Sequence, residues 1–115
     1  MPPTDRRRRT VRFIIHSRTV RRTFFSSRLF GEPAWDMLLT LYADALDRKQ
    51  TTITELSKVS DSGSSTIERW SKALEQEGLV MPAELASDGS DSFTLSERGW
   101  FAMDAYFENM SSGMI

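Results

Sequence analysis

The sequence predicts a mainly α-helical fold with one small β-hairpin, in the α+β class. Three observations lead to this prediction. Apolar residues recur at helical spacing in segments between residues 33 and 109, two short extended segments flank a turn-rich stretch near residue 88, and arginines crowd into the first 28 residues. The 115-residue length fits one domain. We expect a basic, partly disordered arm over residues 1–28, a folded domain over 29–110 and a tail over 111–115.

Charge is divided unevenly along the chain. Residues 1–28 hold nine arginines against one acid (net +8), and residues 29–115 hold six basic residues against fifteen acids (net −9). A cationic arm on an acidic body favours a polyanionic partner, although a solvated tail or a targeting signal is an alternative. The candidate contacts in the arm are Arg6, Arg7, Arg8, Arg9, Arg12, Arg18, Arg21 and Arg22.

The arm itself has two parts. Residues 1–10 combine prolines with four consecutive arginines, a composition that cannot bury enough apolar surface to fold alone, so we predict that this segment is disordered in isolation. Val11–Ile15 is compatible with a short strand. The apolar residues Phe24, Phe25, Leu29 and Phe30 are expected to anchor the arm to the body.

A first body helix opens near Pro33, because proline is tolerated in the first turn of a helix. Its apolar stripe consists of Trp35, Leu38, Leu39, Tyr42 and Leu46. The remaining polar residues, Asp36, Thr40, Asp44 and Asp47, are predicted to form the solvent-facing side of this helix.

Two further helices follow in close succession. Thr54 is predicted to cap a helix over Glu55–Ser60, and Ser64 or Ser65 to cap a longer one that ends at Gly78, with Glu68 at capping-box spacing. The longer helix presents Ile67, Trp70 and Leu74 inward. A short helix, a tight turn and a longer helix form a helix-turn-helix pattern.

A hairpin and a last helix complete the domain. Leu79–Met81 and Phe93–Leu95 predict two strands around a turn-rich tip, which makes the fold a winged helix-turn-helix with a C-terminal helix. Ser96 caps that helix, which runs to about Asn109 and carries one stripe of Trp100, Met103, Phe107 and Met110. Phe101 and Tyr106 lie off the stripe and need cover, from Phe24 and Phe25 or from a second subunit, so we predict a homodimer with these four aromatic residues at its interface.

Several segments resemble one family. The stretch from Leu29 to Leu39 (LFGEPAWDMLL), the segment TIERW from Thr66, LEQEGL from Leu74 and FTLSERG from Phe93 are similar to the opening helix, recognition helix and wing of small MarR-like winged-helix regulators. The similarity covers roughly residues 29–108. The last two motifs occur in many winged helices, so they indicate the fold more strongly than the subfamily.

The resemblance implies a dimeric, sequence-specific regulator of transcription that binds double-stranded DNA in the bacterial cytoplasm, associated with the nucleoid. Its recognition helix, about residues 64–77, would enter the major groove, and the arginine-rich arm would lie on phosphates or in the minor groove. Carried over from the family, the residues facing DNA are Ser64, Ser65, Thr66, Arg69 and Lys72. Their chemistry suits this role, because hydroxyl groups and free N–H groups approach phosphate closely and arginine can bind guanine with two hydrogen bonds.

The wing departs from the family pattern. Residues 84–92 contain Glu84, Asp88 and Asp91 and no basic residue, so phosphate would repel them. The alternative function is therefore a protein–protein adaptor or dimerisation module whose arm binds an acidic partner or RNA.

Other classes of function find little support. The chain has no cysteine and a single histidine, His16, which stands in the arm away from any nucleophile. No glycine-rich phosphate loop or metal-ligand spacing is present, so we expect no enzyme, no metal and no cofactor. The apolar runs are too short to cross a membrane. No residue marks a site for a small-molecule effector.

Overall fold

The computed structural model describes residues 3–24 and 33–113, with side chains described over 5–16 and 33–108. Five helices and a three-stranded antiparallel sheet make up this part of the chain. In order, they are α1 (Pro3–Phe24), α2 (Ala34–Leu46), β1 (Thr51–Thr52), α3 (Ile53–Ser60), α4 (Ser64–Gln76), β2 (Val80–Ala83), β3 (Ser92–Leu95) and α5 (Glu97–Gly113). The predicted fold class, mainly α with a small β wing, is confirmed. None of the helices described has the length and apolar character needed to span a membrane.

The first element corrects the sequence prediction. Residues 3–24 are helical. Residues 3–10 belong to this helix in the folded chain, and the disorder expected of that segment in isolation stays a prediction. The strand expected at Val11–Ile15 is wrong. The physical reason is that Val11 becomes fully buried in the core, with Ile14 and Ile15 packed against it. Apolar residues at positions 11, 14 and 15 share one helix face, and α2 covers that face.

Helix α2 is the centre of the core. Met37, Leu39, Leu41 and Tyr42 are buried, while Trp35, Leu38 and Leu46 are partly buried against the same cluster. The face predicted to be solvent-facing is also buried at three of its four positions: Asp36, Thr40 and Asp44. That prediction is wrong because α1 and β1 pack on this side of the helix.

The helix-turn-helix is formed by α3 and α4, with different caps from those predicted. Thr52 caps α3 by accepting a hydrogen bond from the Glu55 N–H at 3.2 Å, so Thr54 is not the cap. Gly63 occupies the N-cap position of α4 without a side-chain cap, which contradicts the capping box predicted for Ser65 and Glu68. The predicted glycine terminus is confirmed, since Gly78 has φ of +76°.

The wing contains three strands rather than two. β2 and β3 form the predicted hairpin, and β1 joins the outer edge of β3, giving the order β1-β3-β2. Pro82 lies inside β2, opposite Phe93. The short extended segment expected at Thr51 therefore becomes an edge strand, which ties the start of α3 to the wing.

Helix α5 begins at a tight contact with the end of α4. The Ser96 hydroxyl accepts from the Gly99 N–H at 3.0 Å, as the predicted cap requires, and donates to the Gly78 carbonyl oxygen at 2.5 Å. Met103 and Phe107 are buried and Trp100 partly buried, which confirms the described part of the predicted stripe; the side chain of Met110 lies outside the described residues. The helix reaches Gly113, within the segment predicted to be a tail.

Candidate nucleic-acid interface

Helix α4 presents most of the predicted recognition residues to solvent. Ser64, Ser65, Arg69 and Lys72 are exposed, and Thr66 is half-buried. The opposite face is apolar, with Ile67 and Leu74 buried in the core. Burial of this inner face fixes the helix against α2 and α3, so the polar face points outward as a unit.

The N-terminus of α4 is open to an acceptor. Gly63 supplies no side-chain oxygen to the first backbone N–H groups, so none of them is capped by the residue that usually does so. Free N–H groups at a helix start, together with the Ser64 and Ser65 hydroxyls, suit an anion such as phosphate. Glu68, predicted to support a cap, is exposed and has no cap to support.

Trp70 has the structural role that its spacing predicts. Its ring is only partly exposed and packs against the core cluster, beside the buried Ile67 and Leu74. Its packing matches the predicted core role rather than base stacking.

The wing is acidic along its tip. Glu84, Asp88 and Asp91 are all exposed. Hydrogen bonds hold the tip: the Ser90 N–H donates to the Asp88 carboxylate at 2.9 Å, and the amide of Gln50, just before β1, donates to the Glu84 carbonyl oxygen at 2.8 Å. The hydroxyl of Ser92 also donates to that carbonyl oxygen. The wing is therefore an ordered loop with negative charge beside α4.

Three arginines of the arm pair with carboxylates. Arg12 lies 2.5 Å from Asp47 and 3.3 Å from the fully buried Asp44, and Arg8 lies 2.6 Å from Asp47. Burial lowers the pKa of the Arg12 guanidinium, but its hydrogen bonds to Asp47 and Asp44 outweigh burial, and the pKa is raised above its ordinary value. These pairs join α1 to the end of α2.

Asp104 makes a second junction, between α1, α2 and α5. Its carboxylate accepts from Arg7 at 2.5 Å and from the Tyr42 hydroxyl at 2.9 Å. The pKa of Tyr42 is raised to about 12, mainly by burial and also by the hydrogen bond to Asp104, while Arg7 acts in the opposite direction. The hydroxyl is thus a permanent donor at neutral pH.

The acids that receive the arm were missed by sequence reasoning. Asp44 and Asp47 were assigned to the solvent-facing side of α2, Asp104 was not singled out, and Arg7, Arg8 and Arg12 were assigned to a nucleic-acid partner. The sequence did contain a signal for this docking. Arg8 lies three residues before Val11 and four before Arg12, so a helix would place all three side chains on one face, where the arginines flank an apolar contact.

The Asp44 carboxylate that pairs with Arg12 also interacts with a second carboxyl group, that of Glu55. Asp44 accepts a hydrogen bond from the Thr51 hydroxyl at 2.8 Å. The pKa of Glu55 is raised to about 7, mainly by burial and also by its interaction with Asp44, while Lys49 and Arg12 lower it. The carboxyl of Glu55 is therefore partly protonated at neutral pH.

The predicted sites fall into two groups. The predicted recognition residues share one end and one face of α4, whereas Arg7, Arg8 and Arg12 lie on α1 and pair with acids at the end of α2 and on α5. Arg6 and Arg9 are exposed on α1. The side chains of Arg18, Arg21, Arg22 and Phe24, and the whole of Phe25, lie outside the described residues, and their roles stay predictions.

Two aromatic residues of the predicted dimer interface are described. Phe101 is 60 % exposed and Tyr106 44 % exposed. Tyr106 also contacts Trp35 edge to face at a centroid distance of 5.0 Å, so part of its ring is already covered within the chain. Phe13 on α1 is 70 % exposed.

Within the described residues, no cluster of three or more acidic or histidine side chains is placed to hold a metal ion.

Comparison with known proteins identifies the architecture. No protein-family model matches the sequence, and no curated protein matches it either. Among solved structures, a MarR family transcriptional regulator from Silicibacter pomeroyi matches with a TM-score of 0.59 at 17% identity, over 90% of this chain and 67% of that protein. MepR, a transcription regulator of the Staphylococcus aureus multidrug efflux pump MepA, matches with a TM-score of 0.55 at 17% identity, over 90% and 77%.

A transcriptional regulator from Thermotoga maritima matches with a TM-score of 0.50 at 18% identity, over 98% of this chain and 81% of that protein. The family resemblance found in the sequence is thus matched by the three-dimensional structure. At these sequence identities the match supports a shared fold and no finer conclusion. The chain has the winged-helix fold of the MarR-family transcriptional regulators.

Proposed function

We propose that this protein is a sequence-specific, double-stranded DNA-binding regulator of transcription. The observation that supports it most directly is the exposed polar face of α4, which begins at an uncapped N-terminus and carries Arg69 and Lys72. No ion pair within the described residues engages either cation. The likeness to MarR-family regulators agrees with this general class of function.

In the proposed complex, α4 enters the major groove from its N-terminal end. Backbone N–H groups and the hydroxyls of Ser64, Ser65 and Thr66 contact phosphate. Arg69 reads a guanine through two hydrogen bonds, and Lys72, three residues further on, contacts phosphate. The acidic wing stays away from the sugar–phosphate backbone.

The arm contributes to DNA affinity through those arginines that form no ion pair with the body. Arg6 and Arg9 are exposed and can reach phosphates directly. Arg7, Arg8 and Arg12 would have to exchange a carboxylate for a phosphate. The arm's contribution to affinity is therefore smaller than a count of its arginines suggests.

Two variants separate base reading from charge attraction. Arg69→Ala should reduce the preference for the best duplex over a scrambled one by about 1–3 kcal/mol. The double variant Arg6→Gln with Arg9→Gln should weaken binding to all duplexes alike and make the slope of log affinity against log salt shallower by about 2. Arg98→Ala, an exposed arginine on α5, is the matched control for lost charge.

The measurement is fluorescence anisotropy with a duplex chosen by sequencing DNA that the purified protein selects. Deleting the arm would be a poor test, because Val11 belongs to the core. Failure of the full chain to bind any duplex at low salt would refute the proposal.

The rival is a protein–protein adaptor whose arm binds an acidic partner or RNA. It is favoured by one observation, the base-free wing beside α4 with its three exposed acids. An adaptor would show no duplex binding at low salt and would instead retain a defined protein or RNA partner.

We also propose a homodimer formed through the aromatic residues left exposed on α5. Phe101→Ser should shift the sedimentation-equilibrium mass toward the monomer, whereas Leu85→Ser, at another exposed apolar residue (65 %) in the wing, should leave the mass unchanged. A wild-type protein that sediments as a monomer at micromolar concentration would contradict the dimer.

A further inference from the structure

A contact between two acids joins the helix-turn-helix to the centre of the core. The carboxyl group of Glu55, in the first turn of α3, is hydrogen-bonded to the carboxylate of Asp44 on α2. Two ionised carboxylates cannot form such a bond, because both have acceptors only. The contact is therefore complete only while the pair carries one proton.

Strand β1 fixes the geometry of this pair. The Thr51 hydroxyl donates to the Asp44 carboxylate at 2.8 Å, and the hydroxyl of the next residue, Thr52, accepts from the Glu55 N–H at 3.2 Å. Two neighbouring residues thus hold the two acids from the same side. The start of α3 is tied to the segment that also binds Asp44.

The hydrogen bonds of the pair assign the proton to Glu55. Asp44 is fully buried, and each of its two oxygens already accepts a hydrogen bond, one from Thr51 and one from Arg12 at 3.3 Å. Asp44 is thus placed as the acceptor of the contact, and the Glu55 O–H as its donor. Because the pKa of Glu55 is raised to about 7, this proton is lost near neutral pH.

Three charged groups from other parts of the fold act on this proton. Asp44, on α2, holds it on Glu55, whereas Lys49, in the loop before β1, and Arg12, on α1, favour its loss. Since Arg12 also joins α1 to Asp44, the state of the pair depends on the docking of α1.

The remaining charged groups around the start of α3 face solvent. Asp91 accepts from the Ile53 N–H through its carbonyl oxygen at 3.0 Å, and its side chain is exposed. Lys58, on α3 itself, is exposed as well. The charged side chains of α4 are all exposed: Glu68, Arg69, Lys72 and Glu75.

We propose that the contact between Glu55 and Asp44 is a pH-dependent switch that controls how firmly α3 is held against α2. With the proton in place, the pair holds the first turn of α3 closed. When the proton leaves, two negative charges face each other beside a fully buried carboxylate, and the half-buried Glu55 side chain turns toward water. The first turn of α3 then opens more often.

The switch has a consequence for the recognition helix. Helix α4 packs against α3, so a looser α3 holds the recognition residues less firmly. Affinity for a DNA duplex should therefore fall as the pH rises through 7. This consequence alone rests on the proposed function.

Proton linkage sets the size of the effect. If opening returns the pKa of Glu55 from about 7 to its ordinary value of 4.5, the open fraction rises about tenfold between pH 6 and pH 8. Because Glu55 is only half-buried, solvent screening lowers the expected rise to about threefold. The sign follows from the raised pKa, since the closed form is favoured at low pH and is lost as the pH rises through 7.

Amide hydrogen exchange of the full chain without DNA measures this opening. Protection factors, corrected for the intrinsic effect of pH on exchange, should be about three- to tenfold lower at pH 8 than at pH 6 in the first turn of α3. The change must appear in exchange that dilute urea does not accelerate. Such exchange reports local opening rather than unfolding of the whole domain.

Substitutions in the pair and around it give opposite signs. Glu55→Gln keeps a donor for Asp44 but cannot ionise, so it should retain high protection at pH 8 and remove the pH dependence. In carbon-13 NMR, the titration midpoint of the Glu55 carboxyl should rise in Arg12→Met and fall by about one pH unit in Asp44→Asn. Glu68→Gln, at an exposed glutamate of α4, is the matched control and should behave as the wild type.

Three results would overturn the proposal: protection in α3 that does not depend on pH, a pH dependence that survives in Glu55→Gln, or a change confined to exchange that urea accelerates. The last result would make the pair a contributor to overall stability without local opening. The measurements contain no DNA, so their failure leaves the proposed function intact. Conversely, an absence of duplex binding refutes only the proposed function and leaves the switch intact.

Discussion

Replacing Arg12 tests whether α1 is an integral part of the folded domain. Its guanidinium lies 3.3 Å from the Asp44 carboxylate, which has no exposed surface. At that distance two unit charges attract by about 5 kcal/mol at an effective dielectric of 20 and by about 1.3 kcal/mol in water. Because the Arg12 side chain is 39% exposed, the aqueous limit is nearer, and we expect a coupling free energy of about 1.5 kcal/mol.

The coupling is measured by a double-mutant cycle of Arg12→Met and Asp44→Asn. Methionine keeps the apolar stem, and asparagine keeps the shape of the acid and its contact with Thr51. Urea unfolding at neutral pH, followed by tryptophan fluorescence, gives the four free energies of unfolding. The matched cycle pairs Asp44→Asn with Arg9→Met, because Arg9 is exposed. A coupling for Arg12 no larger than that for Arg9 would refute the docking of α1.

Two further predictions concern stability. Gly99→Ala should lower the free energy of unfolding by about 2–4 kcal/mol, because the added Cβ would lie 2.0 Å from the Leu79 carbonyl oxygen; Gly63→Ala, with open space around it, should lose no more than about 1 kcal/mol. Glu55→Gln should raise the free energy of unfolding by about 1 kcal/mol at pH 8 and hardly at all at pH 4, a value reduced because Glu55 is only half-buried.

The sign of the second prediction follows from the pKa of Glu55. That pKa is about 7 in the folded protein, above its ordinary value of 4.5, so the folded state holds the proton more tightly. Stability is therefore greatest below the unfolded pKa and is lost as the pH rises toward and through 7. Equal effects of the substitution at pH 4 and pH 8 would contradict this account. A Gly99→Ala protein as stable as Gly63→Ala would show that α5 can move away from Leu79 freely.

The sequence predicts the body of this fold well because its signals are local. The apolar stripe of α2, the glycine that ends α4 and the serine that caps α5 each depend on residues within one or two turns. The wing is signalled in the same way, by two extended segments around a turn. Only the pairing of β1 with β3 requires contacts that a local pattern does not contain.

The errors concern residues whose environment is set by distant partners. Asp44 has the spacing of a solvent-facing residue, and it is buried because Arg12 and Thr51 reach it from other elements. The arginine run masks the helical spacing of Val11, Ile14 and Ile15. Of the candidate site, exposure of the α4 residues was predictable from their helix face.

The junction at the start of α5 has a mechanical consequence. Ser96 is bound both to the Gly78 carbonyl oxygen and, through its own N–H at 2.9 Å, to the Leu79 carbonyl oxygen, and the missing side chain of Gly99 lets the helix rest directly on that peptide. The contacts that join these elements are made by backbone atoms and the short side chain of Ser96. We therefore expect a tilt of α5 to displace the end of α4 and the first wing strand together, because all three meet at these contacts.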